Sequence, residues 1–196
     1  MSVQVKLPKL LFVRHGETDW NRAGRMQGQL DIPLNDLGRR QAARNGRVMA
    51  KLVEGADWSV AVSPLSRAVE TLQIMRDAGL AAGPERAEDR LKEVAFGAFE
   101  GLTPAEIREQ HAALMDERKA DHWNFTPPGG ESYADLSERV WTWLDTLDRP
   151  TIVVAHGGVM RVILRRAAGM PESRGTRIFA PQNRVLAITG STIAFL

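Results

Sequence analysis

Two histidines of this 196-residue chain sit in the same local setting. Leu11-Phe12-Val13 runs into Arg14-His15-Gly16, and Val153-Val154-Ala155 runs into His156-Gly157-Gly158. A third apolar run, Val60-Ala61-Val62, leads to Ser63-Pro64-Leu65-Ser66-Arg67. A short apolar run of this kind reads as a buried strand, and open α/β sheets bind ligands outside the carboxyl ends of their strands. Glycine after each histidine lets the backbone approach a ligand and frees amide donors. Arg14 and Arg67 then offer paired donors for a tetrahedral dianion, and imidazole is a competent nucleophile toward phosphorus. In phosphoryl transfer the charge spreads over the equatorial oxygens, so positioned cations supply much of the catalysis. A general acid must also protonate the leaving alkoxide, and a carboxyl does this best when burial favours its neutral form. From these residues alone, either His15 or His156 can be the nucleophile. Taken singly, Arg67 reads as a helix-face ion pair and Glu93 as a solvated side chain. His111 shares a helical face with Ile107 and Leu114 and reads as packing, and His122 as loop or surface.

The elements that must position these groups follow from periodicity. Residues 10–13, 59–62 and 151–155 read as strands, and 184–189 with 191–196 as two closing strands or a hairpin around Gly190. Residues 16–33 form a Gly-rich loop, and 36–53 a helix whose Arg39, Arg40 and Arg44 mark a solvated face. Ser63-Pro64 reads as a capped start for the helix carrying Leu65, Ala68, Leu72 and Met75. A loop then runs to about residue 91. Thr103-Pro104-Ala105-Glu106 is a capping box, and Ser132 caps a helix with Leu136, Val140, Trp143, Leu144 and Leu147 on its apolar face. Another helix, with Val159, Val162 and Ile163, follows Gly157-Gly158. Strands alternating with helices predict an α/β sandwich with a mainly parallel sheet. Residues 93–132 carry no strand signal and are expected to cap one end of that sheet. Their Phe99, Trp123 and Phe125 either line an apolar pocket or pack the core.

Composition narrows the chemistry. The chain has no cysteine, which excludes disulfides, thiolate metal sites and a thiol nucleophile, and suits a reducing compartment. Net charge is only +2, and no basic stripe interleaved with aromatics is present, which argues against nucleic acid as a partner. No Gly-x-Ser-x-Gly elbow, no Gly-x4-Gly-Lys-Ser/Thr phosphate loop and no close histidine pair for zinc occurs. Asp19, Asp31 and Asp36 lack the spacing of a calcium loop. The first ten residues lack the apolar core and cleavage pattern of an export signal, and no apolar run is long enough to span a bilayer. The expected location is the cytoplasm, with no membrane partner.

At Arg14-His15-Gly16-Glu17-Thr18 the sequence resembles the histidine phosphatase superfamily, the phosphoglycerate mutase-like proteins. The likeness continues through Trp20-Asn21, Gly24-Arg25-Met26-Gln27-Gly28, Asp31-Ile32-Pro33-Leu34 and Gly38. It takes in Ser63-Pro64-Leu65-Ser66-Arg67-Ala68 with Glu70-Thr71, and Leu91-Lys92-Glu93 with Phe96-Gly97-Ala98-Phe99-Glu100-Gly101. It ends on Pro128-Gly129-Gly130-Glu131-Ser132 and Val154-Ala155-His156-Gly157-Gly158, so it covers nearly the whole chain in order. The resemblance implies one domain over residues 1–196, a three-layer α/β/α sandwich whose segment 93–132 serves as a lid and specificity insertion. It implies His15 as the phosphorylated nucleophile, and Arg14, Arg67 and His156 as its phosphate pocket. Asn21 and the Gly157 amide are further substrate contacts, and Glu93 is the proton donor. It implies no metal and no cofactor.

Both phosphatases and cofactor-dependent mutases occur among the proteins this sequence resembles. Mutases usually carry Glu-Arg-His-Tyr-Gly around the acid, where this chain has Glu93-Val94-Ala95-Phe96-Gly97. The missing arginine and a shorter insertion favour water as the acceptor. Hydrolysis of a small phosphorylated metabolite is therefore the expected function, by a monomer or homodimer. Phosphoglycerate mutase activity is the alternative, and a binding module without catalysis the more distant one. Broad phosphomonoesters, α-ribazole phosphate and fructose 2,6-bisphosphate remain open as substrates.

Overall fold

The structure, a computed structural model, describes residues 7–55 and 57–196. Residues 1–6, which carry most of the N-terminal segment read above for an export signal, lie outside that description. Among the described residues no helix is long and apolar enough to cross a membrane.

Strand β1 (Leu10–Arg14) is followed by a single turn of helix, α1 (Asp19–Arg22), and the long helix α2 (Asp36–Val53). Next come β2 (Ser59–Val62), α3 (Ser66–Asp77) and β3 (Glu85–Ala87). The short helices α4 (Pro104–Gln110) and α5 (Ala112–Ala120) precede α6 (Tyr133–Leu144). The chain then returns to the sheet as β4 (Thr151–Ala155) and leaves through α7 (Gly157–Ala167) and α8 (Glu172–Gly175). A hairpin of β5 (Val185–Thr189) and β6 (Thr192–Phe195) completes the sheet, turning at Gly190 with φ of 59°.

The strand order is β3-β2-β4-β1-β5-β6. The pairs from β3 to β1 are parallel, and β5 and β6 are each antiparallel to their inner neighbour. Side chains of β1 alternate between the two faces, as a strand buried on both sides requires. Leu10 and Phe12 pack with Leu136, Val140 and Ile163 from α6 and α7, whereas Leu11 and Val13 pack with Met49, Leu72 and Met75 from α2 and α3. The result is a three-layer α/β/α sandwich with a mainly parallel sheet.

Local chemistry explains most of the boundaries. Thr103 with Glu106, and Ser132 with Asp135, form the capping boxes of α4 and α6. The start of α3 differs from expectation. Its N-cap is Leu65, without a side-chain cap, because the Ser63 hydroxyl is turned toward the sheet crest. Three elements escaped the sequence reading. The Gly-rich loop contains α1, capped by Thr18, the loop before residue 91 contains β3, and the stretch after α7 contains α8. Strand β3 has only exposed residues and forms through backbone pairing with β2, so it has no hydrophobic pattern to read.

The two helices on one face meet at Gly46. A Cβ there would lie 2.6 Å from the Met75 carbonyl oxygen. In an exposed helix, Gly to Ala stabilises by about 1 kcal/mol. At this contact the methyl meets backbone that α3 cannot move alone, so Gly46→Ala is expected to lower the urea midpoint of unfolding. An unchanged or higher midpoint would show that α2 and α3 separate freely.

Candidate active site

The crest of the sheet follows from register. Arg14 of β1 lies opposite Ala155 of β4, so the next residues, His15 and His156, leave the sheet side by side. The His15 amide donates to the Ala155 carbonyl at 2.9 Å, and the two imidazole centroids are 5.1 Å apart. Ser63 leaves β2 at the same level, its amide donating to the Val154 carbonyl.

His15 is 2% exposed, and its Nδ1 lies 2.7 Å from the Gly16 carbonyl oxygen. A carbonyl only accepts, so Nδ1 carries the proton and Nε2 keeps its lone pair. His156 is fully buried, with Nε2 2.7 Å from the Ser63 hydroxyl and Nδ1 without a partner. Burial, then the nearby Arg14 and Arg67, holds the pKa of His15 well below the usual imidazole value. For His156 burial again comes first, followed by His15 and the same arginines. Both rings are therefore neutral at neutral pH.

The guanidiniums are tied down by backbone carbonyls. Arg14 Nη1 donates to Ala180 O at 2.8 Å. Arg67, fully buried rather than on an exposed helix face, donates from Nη1 to Leu30 O and from Nη2 to Gly28 O, each at 2.7 Å. Burial lowers the pKa of Arg14 to about 10, partly offset by Glu93, so it stays charged. Nε of each arginine is buried without a partner. Glu93, far from being free in solvent, receives the Gly158 amide at 3.0 Å and 3.2 Å on its two oxygens, at the amino end of α7. The Asn21 Oδ1 accepts from the Thr18 amide and from Gln182 Nε2, which leaves the Asn21 amino group as a donor. Gly157 opens α7 directly beside Arg14, whose Nε would be 3.3 Å from any Cβ on it.

Arg14, His15, Asn21, Arg67 and Glu93 thus line one cavity of about 130 Å³. His156 and Gly157 do not line it themselves but pack against two residues that do, His156 against His15 and Gly157 against Arg14. A larger cleft of about 570 Å³ runs along β2 and β3 past Trp143 and Arg149, without either crest histidine. Among the described residues, no group of three or more His, Cys, Asp or Glu side chains is arranged to hold a metal.

Several neighbours were missed by sequence reasoning. Ser63 was read as a helix cap, and Gln182 fell in a segment with no signal, yet its Nε2 also donates to the His15 carbonyl. Arg161 lines the cavity one helical turn after Gly157; the signal available was its position five residues past the crest histidine. Arg139 donates to the Arg90 and Glu93 carbonyls and pairs with Glu131 at 2.6 Å, which fixes the backbone carrying Glu93. Gly16 and Gly38 touch backbone to backbone, since a Cβ on Gly16 would fall 2.2 Å from Gly38 O. His111 packs at a tilt against Phe99, as a packing residue would, and His122 lies in a turn, as a loop residue would, half-buried against Tyr133. Phe99 and Trp123 are core residues, and Phe125 stacks on Phe99 and reaches a small cavity beside Phe96.

The model of the histidine phosphatase superfamily (branch 1) matches residues 10–191. A glucosyl-3-phosphoglycerate phosphatase of Mycolicibacterium vanbaalenii is 33% identical over 181 residues, covering 85% of this chain and 77% of the relative. An acid phosphatase of Mycobacterium tuberculosis is 32% identical over 182 residues, covering 90% and 84%. Among solved structures, the alpha-ribazole phosphatase from Shigella flexneri superposes with a TM-score of 0.80 at 25% identity, covering 96% of this chain and 94% of its own.

The neutral, buried histidines couple the site to folding. Above about pH 6.5 neither the folded nor the unfolded chain protonates them, and their full contribution to stability is present. Below it the unfolded chain takes up protons that the folded interior refuses, so stability falls with acidification, by up to about 1.4 kcal/mol per pH unit for each histidine. Urea unfolding between pH 7.5 and 5 is expected to show this slope, and His156→Gln a shallower one. Parallel slopes for the two proteins would mean that His156 takes up its proton in the folded state.

Proposed function

Since the chain belongs to the histidine phosphatase superfamily and hydrolyses phosphomonoesters, we propose that it does so through a phosphohistidine on His15. The observation that carries the reading is a set of buried donors without acceptors around one free imidazole lone pair. Arg14 Nε, Arg67 Nε and His156 Nδ1 have no partner, and a buried donor is left so only at a cost. A phosphoryl dianion supplies the missing acceptors, and its charge offsets that of the two guanidiniums.

The cycle has two displacements. In the first, His15 Nε2 attacks phosphorus and the bond to the ester oxygen breaks. The departing alkoxide takes its proton from the Glu93 carboxyl. Nδ1 keeps its proton on the Gly16 carbonyl, so the imidazole is held in the nucleophilic tautomer throughout. In the second, water attacks the phosphohistidine, gives a proton to the Glu93 carboxylate and releases inorganic phosphate. Arg14, Arg67, the Asn21 amino group, the Gly157 amide and His156 hold the equatorial oxygens in both steps. With a phosphoryl oxygen beside it, His156 donates from Nδ1 and accepts the Ser63 hydroxyl proton at Nε2.

Water is the acceptor because the residues after Glu93 are apolar. Val94, at the position where mutases usually keep an arginine, enters the core, and Phe96 walls the cavity. We assign the segment 93–132, which holds α4 and α5, the role of lid and specificity insertion. The substrate is a small phosphorylated metabolite, and the cysteine-free composition suits the cytoplasm as the working compartment.

Two measurements test the mechanism. Rapid mixing with a ³²P-labelled phosphomonoester is expected to label wild type and not His15→Ala; equal labelling of both would remove His15 from the reaction. Glu93→Gln is expected to lower kcat by about 10²- to 10⁴-fold, the usual loss of a general acid. The loss should be smaller for p-nitrophenyl phosphate, whose leaving group needs little protonation, than for an alkyl phosphate. Equal losses on both would assign Glu93 to binding.

A further inference from the structure

We propose that Gln182 is a positioning residue for phosphoryl transfer: its side-chain amide links the His15 carbonyl to Asn21 and so turns the Asn21 amino group, rather than its oxygen, toward the phosphate. The proposal rests on the phosphatase reading above and adds to it a residue that does not itself line the phosphoryl cavity.

The network has a backbone group at each end. Gln182 Nε2 lies 3.2 Å from the His15 carbonyl oxygen and 2.9 Å from Asn21 Oδ1. Asn21 Oδ1 lies in turn 3.3 Å from the Thr18 amide nitrogen. A carbonyl only accepts and a backbone N–H only donates, so the polarity of the two side-chain amides between them is fixed. The His15 carbonyl requires the amino group of Gln182. That group presents a second N–H, which requires the oxygen of Asn21, as the Thr18 amide also does. Both lone pairs of Asn21 Oδ1 are thereby engaged. Asn21 lines the phosphoryl cavity, so what it has left to offer there is its amino group. Of the two contacts that set this orientation, the one to Gln182 is the shorter, and the one to Thr18 lies at the long end of the hydrogen-bond range. An asparagine turned the other way would aim a partial negative charge at a dianion.

Gln182 is placed independently of this contact. The backbone around it is pinned at three carbonyls. Arg14 holds Ala180 O at 2.8 Å, Asn45 holds Gln182 O at 2.9 Å, and Arg44 holds Asn183 O at 2.6 Å. Asn45 is itself fully buried on α2. The segment therefore keeps its course when the Gln182 side chain is changed, and the side chain reaches Asn21 from a fixed base.

A double-mutant cycle on the hydrolysis of p-nitrophenyl phosphate tests this. Gln182→Met keeps the length of the side chain and removes its donors. It is expected to lower kcat/KM about tenfold, the scale of one hydrogen bond to a charged group, and to raise the inhibition constant of inorganic phosphate in parallel. Gln182→Glu puts acceptors where the His15 carbonyl and the Asn21 oxygen need a donor, and should lose more. In an Asn21→Ala background no amide remains to be oriented, and Gln182→Met should change kcat/KM by no more than about twofold. Wild-type activity in Gln182→Met, or the same loss with and without Asn21, overturns the proposal; the second result would make Gln182 a support of the fold alone. Failure of both Gln182 variants to fold overturns it in the same way, because the three carbonyl contacts do not need the side chain. If wild type shows no His15-dependent hydrolysis of p-nitrophenyl phosphate, the phosphohistidine reading fails instead.

Discussion

The burial of two guanidiniums against backbone carbonyls is the interaction on which the rest of the site depends. Arg67 holds Gly28 O and Leu30 O, and Arg14 holds Ala180 O. Each arginine thereby fixes a loop that has little regular structure of its own. The cations are in place before any substrate arrives, so binding needs no reorganisation of charge, the condition under which electrostatic stabilisation is most effective. Burial first, and then the same two charges, keep His15 and His156 neutral. Fold and proposed chemistry therefore share their supports, and the backbone around residues 30 and 180 is held by the same arginines that are proposed to bind phosphate.

Sheet topology does the remaining positioning. Parallel pairing of β1 with β4 brings two histidines 141 positions apart in the chain to a centroid distance of 5.1 Å, with no side-chain interaction needed to hold them. Outside this core, struts replace strands. Asn45 of α2 donates to Gln182 O, Arg44 to Asn183 O, and Gln182 reaches Asn21 and the His15 carbonyl. The backbone contact of Gly16 with Gly38 closes the loop after His15 onto α2. A chain of polar contacts thus runs from a surface helix to the reacting centre, while the crest itself stays rigid.

What was legible in the sequence was what has a period or a motif. The central strands, with apolar runs buried on both faces, and the helices α4 and α6 behind their capping boxes are found where patterning puts them. The residues Arg14, His15, Asn21, Arg67, Glu93, His156 and Gly157 meet in one place, and the motif order had named all of them. What could not be read depends on pairing across distance. Strand β3 owes its existence to its neighbour's backbone. Ser63 looks like a helix cap in one dimension and is a histidine partner in three. His122 has no motif, and its half-buried setting comes from Tyr133, which reaches it from α6.

Helix α7 joins these parts into one selective device. Its amino end presents Gly157 to Arg14 and the Gly158 amide to Glu93, and His156 caps it. One turn further on, the same helix carries Arg161. At ~1.5 Å per residue, the step from His156 to Arg161 spans about 7–8 Å along a rigid axis. The Arg161 side chain reaches back along that axis, so that its Nη1 stands 3.4 Å from where a Cβ on Gly157 would lie. The segment with α4 and α5 contributes Phe96, Arg118 and His122 from short elements joined by irregular turns. A rigid helix on one side of the crest and short, irregularly joined elements on the other is the arrangement expected where a common reaction is fitted to a particular leaving group.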